Sequence, residues 1–119
     1  MRAKIKEIYS LELTCSLEDY WPSDEQNFGI SIRLIIGSVD ITGGDIFDLF
    51  VCTPDWIKGQ YTDVGPVWGR HMLIVMEYDW PLIRKKIDLL VTKCSGRDWQ
   101  EISQKLSMFI AWEFDDYHA

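Results

Sequence analysis

The chain has 119 residues, 47% of them apolar, 26% charged and 13% aromatic, a composition that excludes disordered and fibrous classes and suits one globular domain over residues 1–119. Twelve Lys and Arg against nineteen Asp and Glu leave a net charge of −7, so nucleic acid and anionic membrane surfaces repel it. No wholly apolar run exceeds five residues, far short of the roughly 20 that cross a bilayer.

Residues 3–13 place Ile5, Tyr9, Leu11 and Leu13 on one parity and Lys4, Lys6, Ser10 and Glu12 on the other, which predicts a strand; Glu7 and Ile8 break the alternation as a bulge would. The same stretch is basic at its start but lacks a following apolar segment, so no export signal is expected. Phe28, Ile30, Ile32, Leu34 and Ile36 alternate with Gly29, Ser31 and Arg33, the period of a half-buried strand over 28–36. Gly43-Gly44 marks a turn, and Ile46 to Cys52 is almost continuously apolar, as a strand covered on both faces is. Thr53-Pro54-Asp55 has the form of a helix start, a single turn that Gly59 is expected to end, followed by loop to Gly69. Met72 to Met76 reads as a further central strand.

From Asp79 the period changes to about 3.6. Trp80, Ile83, Ile87, Leu90, Val91 and Cys94 predict a helix over 80–95 that stops at Gly96. Asp98-Trp99-Gln100-Glu101 has capping-box spacing, and Trp99, Ile102, Leu106, Phe109 and Ile110 carry a second helix to about Phe114. Strands first and long helices last predict an α+β fold: a largely antiparallel sheet of about four strands with two C-terminal helices packed on one face.

Motifs with chemical content are absent from the sequence: no GxGxxG, P-loop, HExxH, GxSxG or CxxC occurs, so no cofactor or metal is expected. Cys15, Cys52 and Cys94 are odd in number and read as reduced thiols of a cytoplasmic protein, the latter two as small core residues. His71 and His118 are the imidazoles; His71 reads as a structural histidine and His118 lies next to the final residue.

The acids are unevenly placed. Between Glu7 and Ile57 ten acidic residues face one base, Arg33. Within Leu17-Glu-Asp-Tyr-Trp-Pro-Ser-Asp-Glu25, Tyr20 and Trp21 sit among Glu18, Asp19, Asp24 and Glu25. Tyr and Trp anchor protein interfaces and carboxylates steer basic partners, so these six residues form the primary candidate contact set, unless Trp21 packs back onto the sheet. Asp40, Asp45, Asp115 and Asp116 are secondary candidates. Trp56, Tyr61, Trp68 and Trp112 repeat the pairing of rings with acids, whereas Trp80 and Trp99 open helices on their apolar faces and read as core.

Lys4-Ile-Lys-Glu-Ile-Tyr-Ser10, Asn27-Phe-Gly29 with the alternating strand ending in Gly37, Phe47-Asp-Leu-Phe-Val-Cys-Thr-Pro-Asp-Trp56, and Trp112-Glu-Phe114 together resemble the bacterial Immunity protein 8 family over nearly the whole chain. The resemblance implies an α+β cytoplasmic protein, not an enzyme, that binds the C-terminal effector domain of a cognate polymorphic toxin. Such toxins include nucleases with basic clefts, and both active-site occlusion and an adjacent exosite fit an acidic inhibitor. Two other classes stand beside it. A small enzyme or metabolite-binding domain would use a deep pocket near His71, Cys52 and the 61–68 loop. A structural subunit would act as a homodimer, where an inhibitor is a monomer or weak homodimer.

Overall fold

The computed structural model describes residues 1–115 and is α+β. Strands β1 (Ala3–Tyr9), β2 (Gly29–Ser38) and β3 (Asp45–Cys52) form an antiparallel meander; helix α1 (Pro54–Tyr61) leads to β4 (Met72–Ile74). Helices α2 (Trp80–Lys93) and α3 (Trp99–Ser107) follow, then β5 (Ala111–Trp112). The order across the sheet is β1-β2-β3-β4, with β5 also on β3. Because β2 occupies one edge of β3 along its length, β4 and β5 share the other edge end to end, β4 along 50–52 and β5 along 47–48.

The alternation read in β2 matches the burial, and β3, expected to be covered on both faces, alternates as well, with Ile46, Asp48 and Phe50 only half-buried. Ile30, Ile32, Leu34 and Ile36 of β2 and Phe47, Leu49 and Val51 of β3 are buried together with Ile83, Ile87 and Val91 of α2 and Ile102 and Leu106 of α3. Each such side chain removed from water contributes about 1.5–3 kcal/mol, so this one face carries most of the stabilising burial. The bulge expected in β1 is present: the register with β2 shifts between Ile5 and Glu7, which returns Ile8 to the core side opposite Leu34. Gly37 and Gly44 are pressed together, since a Cβ on Gly37 would lie 2.1 Å from the Gly43 carbonyl oxygen and one on Gly44 2.3 Å from that of Ile36.

Four expectations are corrected. β1 ends at Tyr9, because the chain turns at Ser10 and leaves Leu11 exposed. Gly59 does not end the helix after Thr53, which continues to Tyr61; a glycine costs only about 1 kcal/mol in a helix, and Trp56 is held by Phe50 and Tyr61 by Trp56 through ring contacts. β4 is a three-residue edge strand parallel to β3, not a central one, since the crossover through α1 brings the chain back in the same direction. α3 stops at Ser107, because Trp112 is drawn to Asp45 and stacks on Phe47 to make a strand where the stripe suggested helix.

Candidate partner-binding surface

The acidic loop lies at the end of the sheet where β2 begins. Leu17 and Pro22 are buried and fix it to the core. Tyr78, between β4 and α2 and also buried, is its platform. The Tyr78 backbone N–H donates to the Glu25 carbonyl at 2.8 Å and its hydroxyl to the Leu17 carbonyl at 3.4 Å. Its ring meets Tyr20, Trp21 and Phe28 edge to face at 5.5, 5.3 and 5.2 Å. Burial pushes the Tyr78 phenol up to about 12, with Tyr20 and Glu18 adding to it.

Two turns stiffen the loop. Ser16 donates from Oγ to Asp19 Oδ2 at 3.1 Å, and the Gln26 N–H donates to Asp24 Oδ1 at 2.9 Å. Trp21 donates its indole N–H to Glu25 Oε1 at 3.2 Å, yet its side chain is 60% exposed. Tyr20 instead turns inward, and burial, then Glu12 and Cys15, raise its phenol. The loop therefore presents one ring, Trp21, backed by a second, with Glu18, Asp19, Asp24 and Glu25 all exposed beside it.

The secondary candidates lie elsewhere. Asp40 and Asp45 stand at the opposite end of the sheet, about 23 Å away across the seven steps of β3. Asp40 is exposed in the turn after β2. Asp45 is engaged internally: its Oδ2 accepts the indole N–H of Trp99 at 2.7 Å and of Trp112 at 3.0 Å. Asp115 pairs with Arg70 at 3.1 Å. Asp116 and His118 lie outside the described residues. Sequence reasoning missed Tyr78, although Glu77-Tyr78-Asp79 repeats the acid-ring-acid pattern of the loop. Asp79 itself caps α2, accepting from the Leu82 N–H.

Trp56 packs on Phe50 and Tyr61 on Trp56, whereas Trp68 stands out in solvent. Cys52 and Cys94 are buried, and burial raises both thiols; Cys15 is exposed. Among the described residues no group of three or more His, Cys, Asp or Glu side chains is placed to hold a metal, and no helix is long and apolar enough to cross a membrane.

A groove of about 510 Å³ runs beside His71, between the second half of α2, the β4 edge and the segment after α3. His71 Nε2 is 2.9 Å from the Ser107 carbonyl oxygen, which holds it as the N–H. Neither Cys52 nor any residue of 61–68 lines the groove, so the grouping that a small enzyme would have used is not assembled.

The search of curated proteins and that of solved structures find no match. The sequence profile of one family, Immunity protein 8, matches residues 3–117. An α+β fold, a sheet whose β2 and β3 follow the quoted motifs, and a match over nearly the full length agree, and the chain belongs to the Immunity protein 8 family.

Proposed function

We propose that this protein acts in the cytoplasm of a toxin-producing bacterium, binding a cognate effector domain and blocking its active site or an adjacent exosite. Membership of an immunity family supports the role, and exposed Trp21 among carboxylates supports the surface. Carboxylates at Glu18, Asp19, Asp24 and Glu25 steer a basic domain towards the loop, and Trp21 is the ring buried on contact. The loop is already ordered by Tyr78, so little conformational entropy is lost on binding. Basic clefts bind phosphates, and a fixed row of carboxylates occupies the same charge sites without being a substrate.

Co-expression with the toxin domain encoded beside it tests the role directly: the wild type restores growth, and a toxin that kills regardless would end the proposal. Trp21→Ala should weaken binding by about 2 kcal/mol, roughly 30-fold, and reversing the four carboxylates to Lys should abolish rescue. Rescue by both variants would move the contact to another face.

A further inference from the structure

The groove beside His71 has a chemistry opposite to the rest of the molecule. In a chain of net charge −7, its rim carries Arg70, Lys86 and Lys93, and among the described residues no carboxylate lines it. Arg70 is offset by Asp115, but neither Lys86 nor Lys93 has an ion-pair partner among the described residues. Along α2 the order is Lys86, then Leu89 and Leu90, then Lys93, two cations about two turns apart with leucines between them. Across the groove Met108 is 75% exposed and Phe109 54%. Leu89, Met108 and Phe109 line one groove together, and exposed apolar side chains gathered in this way mark an interaction surface.

We propose that this groove docks an amphipathic helix of the toxin domain, one with apolar side chains at its centre and Asp or Glu about two turns apart on either side. Charge complementarity selects the occupant: carboxylates spaced in this way meet Lys86 and Lys93 while the apolar residues between them cover Leu89, Met108 and Phe109. The groove lies about 9–20 Å along α2 from the end that carries Tyr78, close enough for one interface of standard size to cover both it and the Trp21 loop. The target is thereby read by two surfaces of opposite sign, which fixes its orientation. This rests on the toxin-binding reading.

The test uses the full chain and the cognate toxin domain. Lys86→Glu with Lys93→Glu should weaken binding at least tenfold while lowering the melting temperature by no more than a few degrees, since both side chains are exposed and only Lys93, in the last turn of α2, meets the helix dipole. A photo-crosslinking residue at Phe109 should form an adduct mapping to a toxin helix that carries Asp or Glu on either side of apolar residues. Wild-type binding with an unchanged double variant and no Phe109 adduct would overturn the groove and leave the loop reading intact. An adduct on a basic stretch would overturn the stated chemistry. Self-association of the free protein that the double variant removes would make a second copy the occupant and overturn the proposal. No binding by the wild type would bring down both readings.

Discussion

Asp45 illustrates how one side chain can look like surface in the sequence and act as an internal fastening. It is acidic, follows a glycine pair and opens a strand, all marks of an exposed turn, yet one of its oxygens holds two indoles from residues 54 and 67 positions away. No local pattern encodes a partner at that separation. Hydrogen bonds to a charged acceptor contribute about 1.5–3 kcal/mol, so Asp45→Ala should cost about 2–3 kcal/mol in chemical denaturation and Asp45→Asn less, because an amide oxygen still accepts. A loss under 0.5 kcal/mol for Asp45→Ala would show that Phe47 packing alone holds Trp99 and Trp112. Tyr78 is the second such residue. Its phenol is raised from 10.0 to about 12, so the folded state favours the neutral form. The associated stability is fully present below pH 10 and lost as pH rises from 10 towards 12. Tyr78→Phe should flatten that alkaline decline, at a neutral-pH cost of about 1 kcal/mol for the lost hydroxyl bond; an unchanged decline would assign it to other groups.

At the level of elements, what was legible was whatever a short window encodes. β2 alternates cleanly, β3 is an almost unbroken apolar run, α2 and α3 repeat at 3.6, and Asp98 caps α3 through the Glu101 N–H as its spacing implies; Asp79 caps α2 in the same way through Leu82. What was hidden depended on distant partners: β4 and β5 are too short to carry a period and exist because β3 offers them an edge. The acidic loop was legible as a cluster, but not its division from Asp40 and Asp45, which follows from the direction of β3. α1 is joined to β2 through Thr53, which is fully buried. Its Oγ1 accepts from the Phe28 N–H at 3.1 Å and the Trp56 N–H at 3.4 Å. Thr53→Val keeps the volume and removes the acceptor, so the denaturation midpoint should fall by the equivalent of about 2 kcal/mol with the slope unchanged. No shift would mean that the Thr53 backbone N–H to the Phe28 carbonyl suffices.

Across the whole molecule, charge is arranged rather than merely acidic. The carboxylates of the loop and the lysines of α2 occupy different surfaces, while Arg33–Asp48 and Arg84–Asp88 are settled locally. Binding to a basic domain should therefore begin as a long-range attraction towards one end. The association rate should fall by about tenfold or more between low and high salt while dissociation changes little, and stopped-flow mixing would detect it. A flat rate would mean that the acids serve solubility alone.

The position of β5 sets when the sheet can close. The edge of β3 opposite β2 is completed by residues 111–113, with Ile46 donating its N–H to Glu113 and Phe47 facing Trp112. A chain that stops before Ala111 leaves that edge open and Asp45 without its second indole. A released chain ending at residue 110 should be cleaved within β3 by added protease much faster than the full chain, and equal resistance would refute the point. The sheet is thus closed by the strand that leaves the ribosome after all its others, and its first three strands wait on the last.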